Sequence, residues 1–253
     1  MNTLSLILLG LTLSDSLATP PLEDVLARTA GSVERFWQQF SAVNCTEAVT
    51  QEKIGKQGKA VYRHDSMFDY LILMNLHGDD LSVEESRILQ KEVGKSSNLP
   101  LLMTSGFSTL LLIFHPYYQG SFEFQRLEDE VAGRRLVRLS FRHVRGTRST
   151  SALRLRGKDY PLDLEGIAWI NPDSWTIEQI DAHLESPLED LNLRSLRTVV
   201  RYAPQYFQLV DESEWLPVEA LIDVETARQH WRNVHKFKDY RRFSVKSESV
   251  ISK

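Results

Sequence analysis

The sequence predicts an α+β fold built on a strongly curved antiparallel β-sheet, an incomplete barrel whose concave face is covered by helices. Three features predict it: two segments carry apolar residues at helical spacing, most other segments alternate polar and apolar residues, and the connections are short. Short connections and one-sided polarity favour an antiparallel meander over parallel strands joined by crossover helices. The sequence contains no repeat, low-complexity segment or Gly/Ser-rich boundary, so we expect residues 19–253 to form a single half-barrel domain.

Residues 1–18 have the pattern of a signal peptide. A ten-residue apolar run, LSLILLGLTL at 4–13, is followed by small residues at Ser16 and Ala18, which fits cleavage after Ala18. Ten residues rise only ~15 Å as a helix, about half of a bilayer core, so this run is too short to span a membrane. We therefore expect export to the periplasm or out of the cell. The alternative is a buried N-terminal helix, because no Lys or Arg precedes the run.

The mature chain is predicted to open with an amphipathic helix over 22–42. Apolar residues recur there at steps of three and four from Leu22 to Phe40, which places them on one face of the helix. Two prolines precede the helix, and two acidic residues lie in its first turn, where the helix dipole favours negative charge.

A second helix, at 105–115, is predicted to be buried. Four of its apolar residues have helical spacing, and their neighbours extend the apolar surface around most of the helix; the four are Phe107, Leu110, Leu111 and Phe114. A helix that is apolar nearly all round lies inside a protein. It is expected to end near His115, because the following proline disfavours helical backbone at the residue before it.

Most of the chain from residue 60 onwards is predicted to form strands. In one of them Arg138, Ser140 and Arg142 alternate with apolar residues. The surrounding segment, 133–157, is locally basic, but the alternation places Arg138 and Arg142 on one strand face, which favours a solvated outer face over a nucleic-acid site, and no stacking aromatics are interleaved with this segment. With a formal net charge of −4, the sequence predicts no nucleic-acid partner.

One predicted hairpin contains two of the five tryptophans. Its turn, Asn171-Pro172-Asp173-Ser174, suits a four-residue loop that places Ile170 opposite Trp175 on the facing strand. Gly166 and Ala168 would then leave a hollow for the Trp175 ring. A glycine inside a strand also marks a bend, so this hairpin favours a sheet that curves around the buried helix.

Five stretches of the sequence resemble a known family: FDYLIL (68–73), VEESRIL (83–89), GIAWINPDSWTIEQID (166–181), EWLPVEALIDV (214–224) and HWRNVHKFKDYRRFSV (230–245). Together with the order of helix, strands, buried helix and long meander, they resemble the outer-membrane lipoprotein-carrier superfamily, also called lipoprotein-sorting proteins, in its exported bacterial members. The resemblance implies a periplasmic protein whose antiparallel strands form an incomplete barrel closed by helices. It also implies an apolar cavity that binds an acyl chain or another hydrophobic ligand, or that docks a partner.

Seven histidines and one cysteine prompt a search for catalytic and metal-binding motifs. The sequence has neither H-E-x-x-H nor C-x-x-C, and His230 and His235 would point to opposite faces of one strand. His64 and Asp65 are expected in a solvated loop. The single Cys45 allows no intrachain disulfide and is expected to be a small buried residue. We therefore predict no enzyme activity, no catalytic residue, no metal site and no cofactor.

Two functions fit the predicted architecture. The first is an exported envelope protein that binds an acyl chain or lipid-like ligand in a hydrophobic cavity between the curved sheet and the helices. The candidate ligand-binding residues are Phe36, Phe40, Phe107, Leu111, Phe114, Gly166, Ala168 and Trp175. The alternative is a structural or protein-interaction module of the cell envelope, in which the same side chains fill a core and no ligand binds. The sequence indicates neither a protein partner nor an oligomeric state.

Overall fold

The computed structural model describes residues 20–40, 43–77, 80–93, 106–131, 135–155, 158–207 and 213–242, so the predicted signal peptide lies outside the described residues. The strands are β1 (Val43–Ile54), β2 (Ala60–His77), β3 (Asp80–Val93), β4 (Phe122–Arg126), β5 (Glu130–Val131), β6 (Arg135–His143), β7 (Ala152–Leu155), β8 (Lys158–Pro161), β9 (Leu164–Ile170), β10 (Ile177–Leu184), β11 (Leu193–Tyr206), β12 (Ser213–Thr226) and β13 (His230–Arg242). The helices are α1 (Leu22–Phe40), α2 (Pro116–Gln119), a 3-10 helix at Phe107–Phe114 called the inner 3-10 helix below, and a 3-10 turn at Glu189–Leu191.

One antiparallel sheet contains most of the strands. Its order is β3-β2-β1-β13-β12-β11-β10-β9-β6-β4, with β5 paired to β6, while β7 and β8 form a separate pair. The first and last parts of the chain meet in this sheet, because β1 pairs with β13 from Val43 opposite Arg242 to Ile54 opposite His230. Within the described ranges β3 and β4 end the order without pairing to each other, so the sheet is open. The antiparallel sheet predicted from the short connections is confirmed.

The strand β1 lies inside the sheet, although the sequence predicts strands only from residue 60 onwards. Its buried face includes Glu47 and Gln51 beside apolar residues, which obscures the alternation that reveals a half-buried strand. The prediction of a solvated loop at His64 is also wrong, because His64 lies in β2 and is buried. In both segments polar side chains are buried by contacts with distant parts of the chain, whereas the sequence pattern predicts that they face solvent.

The helix α1 confirms the amphipathic helix predicted over 22–42, of which residues 41–42 are outside the described ranges. Its buried residues are Val25, Thr29, Ala30, Ser32, Val33, Phe36 and Phe40. They follow steps of three and four, so one face of the helix packs inwards, against the inner 3-10 helix and β12. No helix in the described part of the chain is long and apolar enough to cross a membrane.

The second predicted helix is present and buried, but it is a 3-10 helix and not an α-helix. It begins after Gly106, whose backbone is left-handed, and the hydroxyl of Thr109 donates to the Gly106 carbonyl at 3.0 Å. Such local side-chain bonds compete with the α-helical pattern. The helix ends at His115 as predicted, and the chain then turns directly into α2, because the His115 Nδ1 accepts the Tyr117 N–H at 3.1 Å.

The inner 3-10 helix contacts strands that are far apart in the sheet order. At its beginning the Ser108 hydroxyl lies 2.7 Å from the Tyr70 hydroxyl of β2, and at its end the Phe114 ring lies 5.1 Å from the Phe124 ring of β4. Along a flat sheet β2 and β4 would be separated by ~38 Å, at ~4.8 Å per strand. The six residue steps from Ser108 to Phe114 rise only ~12 Å in a 3-10 helix. The sheet must therefore bend strongly for both strands to reach it.

The tryptophan hairpin differs from its predicted register. Ile170 pairs with Ile177 and not with Trp175, which lies in the connecting loop with a φ of 60°. The loop is longer than four residues because the Asn171 side chain accepts the Asp173 N–H at 2.9 Å and the Asn171 carbonyl accepts the Trp175 N–H at 2.8 Å. The Trp175 ring consequently lies under the Arg28 guanidinium, 5.0 Å away, instead of over Ala168.

The hollow at Gly166 is occupied by Phe141 from the neighbouring strand β6. A Cβ added to Gly166 would lie 2.8 Å from the Phe141 ring and 2.1 Å from the backbone carbonyl oxygen of Asp181. The second distance involves main chain, which cannot move aside as a flexible side chain can. The glycine predicted to mark a bend is therefore required for the close approach of β9, β6 and β10.

We expect Gly166→Ala to destabilise the protein by at least ~1–3 kcal/mol, because the added methyl forces two paired strands apart. The matched control is Gly31→Ala in α1, where nothing lies within 4 Å of the added Cβ and alanine favours the helix by about 0.5–1 kcal/mol. Urea unfolding measures both changes. Equal effects of the two substitutions would contradict the packing described at Gly166.

Candidate functional site

A cavity of about 280 Å³ lies between α1, the inner 3-10 helix and the strands β10 and β12. One stripe of α1 forms one wall, and the starts of β10 and β12 form the other. The residues that line the cavity are Ser32, Val33, Arg35, Phe36, Gln39, Leu111, Thr176, Ile177, Ser213 and Trp215. Half of them are apolar, so the cavity offers both an apolar surface and polar groups to a ligand.

The apolar and polar lining residues lie on different sides of the cavity. Val33, Phe36, Leu111 and Ile177 are all buried and form its floor. Arg35, by contrast, is solvent-exposed on α1, as is Ser213 at the start of β12. These exposed residues mark the side on which the cavity opens, so a ligand would enter with its apolar part directed inwards.

Hydrogen bonds fix both walls of the cavity. The Ser32 hydroxyl lies 2.7 Å from the Trp175 carbonyl and 2.8 Å from the Thr29 carbonyl, and so joins α1 to the loop between β9 and β10. The Trp215 indole donates to the Ile177 carbonyl at 2.6 Å, which joins β12 to β10. Because the backbone is tied on both sides, the cavity belongs to the folded structure and does not need a ligand to hold it open.

Two of the eight residues predicted to bind a ligand line this cavity, namely Phe36 and Leu111. Phe40 is buried beside them, with its ring centroid 4.8 Å from that of Phe36. Trp175 lies at the edge of the cavity and contributes its carbonyl to the bond with Ser32. These four residues therefore lie together at the end of the interior covered by α1.

The other predicted residues lie away from the cavity. Phe114 and Ala168 are fully buried in the hydrophobic core, and Gly166 lies beneath the Phe141 ring. The side chain of Phe107 is outside the part of the structure that is described. Phe114 and Ala168 therefore belong to the packed interior, and Gly166 lines a second depression, formed by β4, β6, β9 and β10.

The interior next to β4 and β6 is filled by aromatic rings. Phe114 lies 5.1 Å from Phe124 and 6.2 Å from Phe141, and Phe122 lies 6.1 Å from Phe141 in an edge-to-face arrangement. Ring pairs at these separations stabilise a core beyond the area that they bury. At this end of the sheet the interior is a close-packed core.

The opposite end of the interior contains a buried network of charged side chains. Glu47 of β1 accepts the Arg87 Nε–H at 2.6 Å and lies 2.8 Å from the His235 Nδ1. A second guanidinium nitrogen of Arg87 lies 2.8 Å from Glu85. All four side chains are at most 6% exposed. The sequence search missed this network because β1, β3 and β13 bring together residues that are 40 and 188 positions apart.

The charged network is connected to the inner 3-10 helix. The Arg87 guanidinium lies 4.7 Å from the Tyr70 ring centre, and the Tyr70 hydroxyl bonds to Ser108 at 2.7 Å. Glu85 accepts the Gly106 N–H at 2.6 Å, at the residue before the helix begins. The network therefore determines where the inner 3-10 helix starts, and it holds the edge strand β3 to the same point.

The pKa values in this region follow from burial and from pairing with neighbouring side chains. Burial raises the pKa of the Glu47 carboxyl, but hydrogen bonds from His235 and Arg87 outweigh it, so its pKa lies below the ordinary value. Burial raises the pKa of the Cys45 thiol to about 12, so the thiol stays protonated and unreactive at neutral pH. Among the described residues no group of three or more His, Cys, Asp and Glu side chains could hold a metal ion.

A second depression, of about 660 Å³, is formed by β4, β6, β9 and β10. Most of its lining side chains are polar and partly or fully exposed, and two ion pairs cross it. Arg142 lies 2.6 Å from Glu123, and His183 lies 3.1 Å from Glu165. Because its polar groups are paired with one another at the surface, we consider it less suited than the smaller cavity to an apolar ligand.

Comparison with protein-family models gives no match, and neither does comparison with curated protein sequences. Several solved structures align with most of the chain. A DUF1329 family protein from Desulfovibrio piger is 13% identical, with 90% of this chain and 96% of that chain covered and a TM-score of 0.46. A protein described as an outer membrane lipoprotein-sorting domain, from Vibrio parahaemolyticus, is 10% identical, with 89% and 95% covered and a TM-score of 0.45.

The third structure is a LolA superfamily protein from Nitrosomonas europaea. It is 14% identical, with 86% of this chain and 94% of that chain covered and a TM-score of 0.38.

We expect Glu47→Gln to destabilise the protein by about 3–5 kcal/mol, because it leaves the buried Arg87 without one of its two carboxylate partners. The control is Glu189→Gln, an exposed residue in the turn before β11, which should change stability by less than about 0.5 kcal/mol. Urea unfolding at pH 7 measures both.

The effect of Glu47→Gln on stability should depend on pH. Because the folded-state pKa of Glu47 lies below the ordinary value of 4.5, its carboxylate stabilises the fold above that pH. This contribution is lost as the pH falls through the lowered pKa, so the stability difference between wild type and Glu47→Gln should shrink below pH 4.5. A difference that stays constant from pH 7 to pH 3 would contradict the ionised network.

Proposed function

We propose that this protein binds an acyl chain or a lipid-like molecule between its sheet and its helices and catalyses no reaction. The observation that carries this proposal is the cavity of about 280 Å³ with an apolar floor and an open polar side. Ligand pockets for small molecules occupy about 300–1,000 Å³, whereas close-packed interiors leave few voids larger than a water molecule. The cavity is near the lower end of the ligand-binding range and far above a packing defect.

We further propose that α1 and the inner 3-10 helix cover the concave face of the curved sheet. This arrangement is supported by the contacts of the inner 3-10 helix with both β2 and β4, which only a bent sheet can make. The helix then lies on the inside of the bend, and α1 packs against it and against β12. The cavity occupies the space that these two helices leave above β10 and β12.

The place of action that we propose is the bacterial envelope. Residues 1–18 have the pattern of a signal peptide, and residues 19–253 would form one exported half-barrel domain. The ligand class is also the one that the sequence resemblance implies. The absence of a catalytic role is supported by the neutral thiol of Cys45 and by the pairing of Glu47 with Arg87 and His235, which leaves these groups in structural contacts.

A second candidate function is a structural or protein-interaction module of the envelope, with no ligand. It is favoured by the aromatic cluster of Phe114, Phe122, Phe124 and Phe141, because these side chains fill the interior beside β4 and β6. The two candidates differ in what the remaining open space contains, and a binding experiment separates them.

We expect fatty acids, lysophospholipids or both to raise the melting temperature of delipidated protein. A ligand that binds only the folded state stabilises it by ~2.7 kcal/mol at a hundredfold excess over its dissociation constant. Leu111→Trp should abolish the shift, because the larger ring fills the cavity floor. The matched control, Ile88→Trp, adds the same ring at an exposed position of β3 and should leave the shift unchanged.

The binding proposal fails if no lipid changes the melting temperature and if delipidated and freshly purified protein melt together. A second cavity-filling variant, Val33→Phe, guards against misfolding of Leu111→Trp, because overpacking a core can itself cost about 1–3 kcal/mol. Only variants that keep the wild-type circular dichroism spectrum are compared.

We expect the exported protein to begin at Thr19, because cleavage after Ala18 follows the small residues at Ser16 and Ala18. N-terminal sequencing of protein recovered from the periplasmic fraction measures this. Ala18→Leu should slow processing and leave a precursor, since the cleavage site requires a small residue at that position. Mature protein that still begins at Met1 would contradict the export proposal.

A further inference from the structure

We propose that the ligand of the cavity is a single-chain anionic amphiphile of about nine or ten carbons, whose acidic head group is held by Arg35. This inference rests on the proposed binding function and specifies the chemistry of the ligand. It follows from three properties of the cavity: the charge of its lining, the arrangement of its polar residues and its volume.

Of the ten described residues that line the cavity, Arg35 alone carries a charge. The other four polar lining residues have neutral side chains. In the described part of the chain no hydrogen bond or ion pair joins Arg35 to a carboxylate, whereas Arg87, Arg197 and Arg242 each contact one. A guanidinium presents several N–H donors in a planar fork that matches a carboxylate or phosphate. Its position on the cavity therefore favours an acidic head group over a neutral one.

The polar lining residues of α1 form a stripe beside the apolar floor. Ser32, Arg35 and Gln39 are three and four residues apart, so they follow one another along one face of the helix. Phe36 and Val33 lie next to this stripe and are buried, while Arg35 is exposed. A molecule whose chain contacts Phe36 would thus carry its head group to Arg35 and the Gln39 amide within one helical turn.

The volume limits the length of the chain. A water-sized group occupies roughly 30 Å³, and a methylene group is of similar size, so a cavity of about 280 Å³ holds about nine such groups. A chain of nine or ten carbons fills this space, and carbons beyond that number would project into water. A phospholipid with two long chains is too large for it.

The test is direct binding of delipidated protein to a series of sodium alkanoates with six to sixteen carbons and to the alcohol of ten carbons. A change in the intensity or wavelength of tryptophan emission reports binding, since Trp215 lines the cavity, and isothermal titration calorimetry measures the affinity. The variants are Arg35→Gln and a matched control, Arg228→Gln, which removes an exposed arginine between β12 and β13, away from the cavity lining. Both positions are exposed, so neither substitution disturbs the core.

We expect affinity to rise about fourfold with each added carbon, the effect of burying one methylene group, and to level off near ten carbons. Decanoate should bind about five- to tenfold more tightly than decanol in 20 mM salt. Arg35→Gln should remove this difference, and Arg228→Gln should keep it. Raising the salt to 0.5 M should weaken decanoate and leave decanol unchanged, because the head-group contact is exposed to solvent.

Two results would overturn the inference while the proposed function stands: equal affinities for decanoate and decanol in wild type and Arg35→Gln, or affinity that keeps rising to sixteen carbons. The first removes the role of Arg35, and the second removes the size limit. If folded wild-type protein binds none of the chains and no lipid shifts its melting temperature, the proposed function itself fails together with this inference.

Discussion

The architecture depends on the burial of the inner 3-10 helix. Its residues Leu110 to Phe114 are almost completely buried, and eight residues cannot supply enough contacts to one another to account for this. The sheet supplies them by bending, so that Tyr70 of β2 and Phe124 of β4 meet opposite ends of the same short helix. The Tyr202 hydroxyl, from the middle of the sheet, donates to the Ser108 carbonyl at 3.2 Å. The curvature of the sheet is thus a consequence of covering one apolar segment.

The interior beside one edge of the sheet is built differently from the interior beside the other edge. This difference explains where the cavity lies. Beside β3, β2, β1 and β13 it is occupied by the charged network around Glu47 and Arg87, whose directional bonds tolerate little displacement. Beside β6 and β4 it is filled by interlocking rings. Between these two fixed regions, over β12 and β10, the lining is provided by α1 and the single side chain Leu111 of the inner 3-10 helix. The cavity lies between these two regions, where neither the charged network nor the ring cluster extends.

The sequence predicted the elements that depend on local pattern and missed those that depend on pairing. The face of α1 and the buried residues Leu110 to Phe114 follow from spacing alone, because apolar periodicity is a local property. The register of the tryptophan hairpin was wrong, because hydrogen bonds to Asn171 lengthened the loop and moved Trp175 off the strand. Of the residues that line the cavity, only Phe36 and Leu111 were predicted, because they lie on predicted helices. Trp215 and Ile177 were missed, because their place in the lining depends on how β12 and β10 align in the sheet. Glu47 could not be paired with His235 from sequence, since 188 residues separate them.

The charged network also bears on how a protein with a single cysteine, and therefore no intrachain disulfide, keeps the shape of its cavity. A buried ion pair adds little net stability over an apolar pair, since removing two charges from water offsets most of their attraction. Its effect is on specificity, because Arg87 of β3 can reach Glu47 of β1, on the far side of β2, in only one register of β3 against β2. Fixing that register places Gly106 and therefore the start of the inner 3-10 helix. The ligand that we propose between α1 and Leu111 would then meet a preformed surface, so that little of its binding free energy would be spent on ordering the protein.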